Sequence, residues 1–409
     1  MNSLFVGIDV SSSSNVVFFM NPDGSKLCSF SVQNNRNGAI ILSKKISSAM
    51  IDKSFDNCII GLEATSVYGN NLVCFLKEDF NLSSFDKKIH ILNPKQVKKF
   101  KDAYSDLPKN DSVDSFIIAD NLRFGRIAKE VYMDDYRFKA LQNLTRARFF
   151  AVQNLTKEKQ RFLNYLFMKF SELKGSKVFS DIFGATSLAV IEEFMSVDEI
   201  AYMDLDKLIA FIMDKGKNRF ENPEAVAKAL QAAARSSYRL PKTINDSVNQ
   251  VLAISISSIR AIESQIKALD KAIKEQIKLI PNTLESIPGI GPVYTAGIIA
   301  ETGDINRFSN QAALAKYAGL VWTQHQSGSF EAQNTRLIKS GNRYLRYYLI
   351  EAADSVRRHD SEYARFYNLK FKEVNKYQHK RALALTARKL VRLVFKLLKT
   401  NQLYIPSDR

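Results

Sequence analysis

Residues 1–32 read MNSLFVGIDVSSSSNVVFFMNPDGSKLCSFSV, and the order of signals within them decides the fold. Leu4 to Val10 is a short apolar run and Asn15 to Met20 is a second. Asn21-Pro-Asp-Gly24 separates the second from a third run, Lys26 to Val32. Proline presets one backbone angle of a turn and glycine supplies another, so the second and third runs are expected to form a β-hairpin. Beyond them a helical pattern covers about 37–50, Cys58 to Leu62 reads as a buried strand, 67–79 as a helix and Lys88 to Leu92 as a strand. Pro94 then opens a basic helix containing Lys95, Lys98, Lys99 and Lys101.

Three antiparallel strands followed by strand, helix, strand, helix is the order expected of a ribonuclease-H-like (RuvC-like) α/β domain, here residues 1–132. From about 138 the pattern changes to long helices. Leu141, Leu144, Ala151, Leu155 and Phe162 keep a 3-4 spacing broken by Arg148 and Glu158. A cleaner stripe, Leu252, Ile259, Ile262, Ile266, Leu269, Ile273 and Ile280, is interrupted only by Ser255 and Gln276. The two stripes predict a long coiled-coil arm over 133–280, paired antiparallel or forming a dimer seam, with a helical insert at about 171–240. Residues 281–409 read as a mostly helical C-terminal domain. It opens on LESIPGIGPV (284–293), where Gly289 and Gly291 lie between short helical segments. This is the form of a helix-hairpin-helix, whose amides can hold a phosphate without reading bases, and equally of a plain tight turn.

Lys and Arg outnumber Asp and Glu by 59 to 42, giving a net charge of +17, which favours a polyanionic partner over small acidic metabolites. The excess is concentrated: Arg336 to Lys399 holds seventeen basic residues against five acidic ones, a footprint for phosphates. Cys28, Cys58 and Cys74 show no C-x-x-C spacing, which argues against a disulfide framework or a zinc site. No run of about eighteen apolar residues occurs and the N-terminus lacks a signal pattern, so a cytoplasmic protein is expected.

Four acids stand where chemistry is done. Asp9 ends the first strand, Glu63 ends the strand Ile59-Ile-Gly-Leu-Glu63, and Asp111 and Asp114 share one face of the first turn of the helix DSVDSFIIADNLRF. An acid closing a buried strand has no propensity reason to be there, whereas Asp111 could be a helix cap and Asp114 an acid favoured by the helix dipole. Carboxylates crowded together tolerate shared burial when divalent cations neutralise them, and two such ions can clamp the attacking and leaving oxygens of a phosphodiester. Further on, Ser327 lies in the polar loop Thr323-Gln-His-Gln-Ser-Gly-Ser-Phe330. By spacing alone it has little priority over Ser329, and a turn serine is the ordinary reading. His325, two residues earlier, could serve as its base or be a solvent-facing loop residue.

Taken together, Gly7-Ile-Asp9, the E-A-T-x-x-Y-G stretch from Glu63, Asn93-Pro with its basic residues, K-x-D-x-x-D from Lys109 to Asp114 and I-P-G-I-G-P at 287–292 resemble one family. It is that of the DEDD-type insertion-sequence transposases, which includes the pilin-gene invertases and the RNA-guided bridge recombinases. The likeness continues through Gly303-Asp304, Phe308, Leu314 to Leu320, Gln326-Ser-Gly328 and Gly341-Asn-Arg-Tyr-Leu-Arg346, and so spans nearly the whole chain. The resemblance implies that Asp9, Glu63, Asp111 and Asp114 bind Mg²⁺ (or Mn²⁺) and that Ser327 attacks DNA and becomes joined to it. It also implies a composite site built by two subunits of a tetramer, a dimerising helical arm, and a structured guide RNA. Two departures stand out: Asn110 replaces the usual Thr before Asp111, and the chain is longer than many relatives.

The expectation is therefore a magnesium-dependent transposase that cuts and rejoins DNA. Lys98, Lys99, Arg336, Arg343 and Arg346, with the Gly289–Gly291 turn, are its expected nucleic-acid contacts. The alternatives are a RuvC-like junction endonuclease using metal-activated water, a site-specific invertase, and a non-catalytic DNA-architectural protein.

Overall fold

The computed structural model describes residues 2–64, 67–104, 110–125, 136–323, 326–327, 330–331 and 337–406, with the backbone alone at 326–327 and 330–331. The chain divides into two compact units, Met1–Asp134 and Asp135–Arg409.

The first unit runs β1 (Ser3–Val10), β2 (Ser14–Met20), β3 (Lys26–Gln33), α1 (Arg36–Asp52), β4 (Asn57–Glu63), α2 (Tyr68–Glu78), β5 (Asp86–Leu92), α3 (Pro94–Lys101) and α4 (Asp111–Phe124). Its sheet has the order β3-β2-β1-β4-β5. The pairs β1–β2 and β2–β3 are antiparallel, whereas β1–β4 and β4–β5 are parallel. The expected hairpin forms at its tetrad: Gly24 N donates to Asn21 O at 3.0 Å, with Gly24 at φ +90°.

Strand side chains alternate between faces, and both faces of this sheet are covered. Leu4, Val6 and Ile8 of β1, with Cys58, Ile60 and Leu62 of β4, bury against Leu42 and Ile46 of α1 and Leu72 and Leu76 of α2. The other set, including Phe5, Phe18 and Met20, meets Ile117, Ile118 and Ala119 of α4. On that second face Gly7 and Gly61 are direct register partners in β1 and β4. A Cβ at Gly7 would stand 2.1 Å from the Ser115 carbonyl oxygen and 2.5 Å from the Ala119 nitrogen, and one at Gly61 would stand 2.7 Å from Leu122 Cδ1. The two glycines make a flat floor for α4, which meets Gly7 with its backbone and Gly61 with the Leu122 side chain.

The second unit contains α5 (Tyr136–Lys169), α6 (Ala185–Glu193), α7 (Val197–Ala201), α8 (Leu205–Gly216), α9 (Pro223–Ser236) and α10 (Lys242–Ile277), followed by α11 (Pro292–Thr302) and α12 (Gln311–Ala318). A short hairpin of β6 (Gln326–Ser327) and β7 (Phe330–Glu331) precedes α13 (Arg343–His359), α14 (Ser361–Lys372) and α15 (Gln378–Thr400). Helices α5 and α10 pair within the chain and run antiparallel, since Arg148 meets Asp270 at 2.5 Å while Glu158 accepts from Ser255 Oγ at 2.5 Å. Three of the four polar breaks in the two apolar stripes, Arg148, Glu158 and Ser255, thus have polar partners across the pair. One end of the pair packs with α6–α9 around Phe162, Leu188, Leu208 and Leu230. The other packs with α11–α15 around Ile298, Leu345, Tyr348 and Leu390. Among the described residues no helix is long and apolar enough to cross a membrane.

Gly7→Ala is expected to push α4 off the sheet, costing about 3 kcal/mol in urea unfolding, whereas Gly291→Ala, with open space around it, serves as a near-neutral control. A second expectation concerns Lys169, which is buried and donates to the Ile191 carbonyl at 2.7 Å. Burial lowers its amine from lysine's ordinary 10.5 to about 8, with Glu199 opposing weakly. The unfolded chain therefore holds the proton more tightly between those values, and stability rises with pH across that window. Relative to Lys169→Met, the wild-type protein should gain on the order of 3 kcal/mol from below pH 8 to above 10.5, read by chemical denaturation.

Candidate active site

The floor of paired glycines places the acids. Asp9 lies two residues beyond Gly7 and Glu63 two beyond Gly61, so both project from the face that α4 covers. Helix α4 starts at the same end. Asn110 caps it, its side-chain oxygen accepting from Val113 N at 2.8 Å, so Asp111 is not the cap. Asn and Thr are both good N-caps, which removes structural significance from the departure at position 110. Asp111 is left exposed at the start of the first turn, with Asp114 one turn on.

Proximity of the acids contributes to the proton affinities of Asp9 and Glu63. The Asp9 carboxyl is raised above the usual range by burial, then by the charges of Asp114 and Asp111. Glu63 is likewise raised by burial, then by Asp9 and Asp114. One cation opposes them: Lys101 Nζ sits 2.6 Å from Asp114 Oδ1 and lowers both Asp9 and Glu63. With Asp114 engaged by Lys101, no three Asp, Glu, His or Cys side chains among the described residues are close enough to hold one metal ion. In donor type the set nonetheless suits a hard divalent cation: it is all oxygen, and its charges repel one another.

Lys101 was legible only as one of four lysines on a basic helix. Its spacing of four from Val97, the buried residue of α3, is the signal that turns it inward, while Lys98 and Lys99 stay exposed. Behind the acids, Tyr104 donates to the buried Asp120, which also accepts from Arg123 Nε at 2.7 Å, and this fastens the segment after α3 to α4.

The remaining expected residues lie in the second unit. Ser327 is in β6, directly opposite Phe330 of β7. An isolated bridge joins Trp322, before β6 in the chain, to Leu337, after β7. His325 and Arg336 lie outside the described residues. Arg343 opens α13 and is exposed, whereas Arg346 is half-buried and donates to the Ala318 carbonyl at 3.0 Å. Gly289, at φ +90°, packs against Ser355 and His359, and Gly291 caps α11. The helical segment before them is a single 3-10 turn, Leu284–Ser286.

A buried group that sequence reasoning missed organises this region. Glu301 of α11 takes a two-pronged pair from Arg146 of α5 at 2.7 and 2.9 Å, and accepts from Asn342 Nδ2 at 2.7 Å. Asn342 in turn caps α13 through Tyr344 N and Leu345 N.

Residues 6–170 match the family model for DEDD transposases of the IS110 type, described as Transposase, and residues 282–368 match the Transposase IS116/IS110/IS902 family. The chain belongs to this transposase family. All four acids fall within the first match, and Ser327, Arg343 and Arg346 within the second. Similar proteins include an uncharacterized protein of insertion element IS116 from Streptomyces clavuligerus, 24% identical over 322 residues and 76% of each chain. The transposase for insertion sequence element IS1111A from Coxiella burnetii is 30% identical over 36% of this chain and 38% of its own. An insertion element IS110 protein from Streptomyces coelicolor is 29% identical over 39% and 38%. A transposase acts on DNA, in keeping with the +17 charge of the chain.

The raised carboxyls of this transposase have a measurable cost. Asp9 binds a proton more readily folded than unfolded, so stability rises as pH falls through its folded pKa and is lowest above it. In EDTA, Asp9→Asn should raise the thermal midpoint by a few degrees at neutral pH, and this advantage should shrink as the pH falls through the raised pKa of the folded wild-type Asp9.

Proposed function

We propose that the protein is a divalent-metal-dependent transposase that cleaves and rejoins DNA through a covalent link to Ser327. The observation that supports it best is the gathering of Asp9, Glu63 and Asp114, with Asp111, within electrostatic reach at one end of the sheet. The strand order β3-β2-β1-β4-β5 with α4 across one face accords with a ribonuclease-H-like domain of the RuvC kind.

Asp9, Glu63, Asp111 and Asp114 would hold Mg²⁺ (or Mn²⁺), which when bound supplies a Lewis acid for the phosphate oxygens. Lys101 would release Asp114 as that charge is taken over. Ser327 Oγ attacks the scissile phosphorus: a serine–phosphate ester forms, the bond to one sugar oxygen breaks, and that oxygen leaves protonated. The serine proton passes to a base, for which His325 is the candidate. In the reverse sense, a sugar hydroxyl of the new strand attacks the ester and frees the serine. One phosphoester is exchanged for another at each step, so rejoining requires no external energy source.

Lys98, Lys99, Arg336 and Arg343 are proposed to hold backbone phosphates, with Arg346 contributing the N–H groups that Ala318 leaves free. Gly289 and Gly291 place amides of a helix-hairpin-helix-like turn for the same purpose. Target choice is proposed to come from a structured guide RNA. The α5–α10 pair is proposed to act as a coiled-coil arm joining subunits into dimers and, on DNA, tetramers, in the cytoplasm.

Ser327→Ala should bind DNA normally and yield no protein–DNA adduct on denaturing gels. Retention of full cleavage by this variant would instead establish hydrolysis by water, as in a junction endonuclease.

A further inference from the structure

Two arginines flank the ring of Tyr344, and they are treated differently. Arg146, with its guanidinium carbon 4.5 Å from the ring centroid, is neutralised by its paired contacts to Glu301. Arg343 lies 4.8 Å from the same centroid and donates to Tyr344 Oη at 2.9 Å, yet no carboxylate among the described residues pairs with it. Arg343 also lies 5.4 Å from the ring of Phe150 and 5.6 Å from that of Phe149. Phe149 is buried, but Phe150 is 44% exposed. An unneutralised guanidinium is therefore held against an open aromatic face.

The patch is held rigidly. The cap by Asn342, itself bonded to Glu301, fixes the start of α13, and Phe149 packs edge-on to Tyr344 at 5.0 Å. In the chain Arg343 follows the Trp322–Leu337 bridge by six residues, and Ile338 N bonds to Val321 O on the way.

We propose that Arg343, Phe150 and Tyr344 form a stacking site for an unpaired DNA nucleotide next to the strand that Ser327 engages. A base in a duplex has its faces covered by neighbours, so an exposed ring has most to gain from one released from the stack. The guanidinium can stack on the base or bond to the adjoining phosphate. DNA is the polyanion that family membership supplies. This inference rests on the reading of the protein as a strand-cleaving transposase.

Fluorescence anisotropy with the full chain tests it, using a short labelled DNA single strand, its duplex and an RNA of the same sequence. Phe150→Ala should weaken single-strand DNA binding roughly tenfold and leave duplex binding unchanged, while Phe150→Trp should restore it. Arg343→Ala should weaken single-strand binding, and Arg343→Lys should recover only part, since an ammonium keeps the charge but lacks the planar face. The proposal is overturned if Phe150→Ala leaves single-strand DNA binding intact, lowers single-strand and duplex binding in parallel, or affects the RNA alone. A wild-type protein that binds no nucleic acid would instead defeat the transposase reading itself.

Discussion

The close approach of α4 to the β1–β4 floor is the constraint on which the N-terminal unit depends. Gly7 and Gly61 are neighbours across a parallel ladder, and neither leaves room for a Cβ beneath the helix. Interiors pack at crystal-like density, so a helix resting on backbone cannot be lifted without opening a void. That contact sets the height and register of α4, and therefore where its first turn ends relative to Asp9 and Glu63. The acids are two residues from the glycines because strand side chains return to the same face every second residue.

Holding these acids at one end of the sheet opposes folding, since burial first and their mutual repulsion second raise the proton affinities of Asp9 and Glu63. Lys101 offsets part of the repulsion through its contact with Asp114. The centre is thus held together by packing remote from it and by one internal cation.

The second unit solves a different problem, the anchoring of α13. Glu301 is fully buried, and a buried carboxylate is tolerable only when paired and hydrogen-bonded. Arg146 and Asn342 supply those partners from α5 and from the residue that caps α13. One side chain thereby ties three elements at the point where Arg343 emerges. Arg146 is consumed by this structural role, whereas Arg343 meets no carboxylate among the described residues.

Alternation and turn chemistry are local, so the five strands, the basic α3, the helix α4 and the two long apolar stripes are legible in the residue order alone, although α4 is capped by Asn110 and not by Asp111. The residue order also marked Asp9 and Glu63 as anomalous, because acids rarely end buried strands without a task. It takes the folded chain to bring the breaks at Arg148 and Glu158 to Asp270 and Ser255, to turn Lys101 in to Asp114, and to carry Glu301 to Arg146 from 155 residues away. Periodicity specifies which face of an element is apolar; which polar group lies opposite depends on the register between distant elements, and packing alone fixes that.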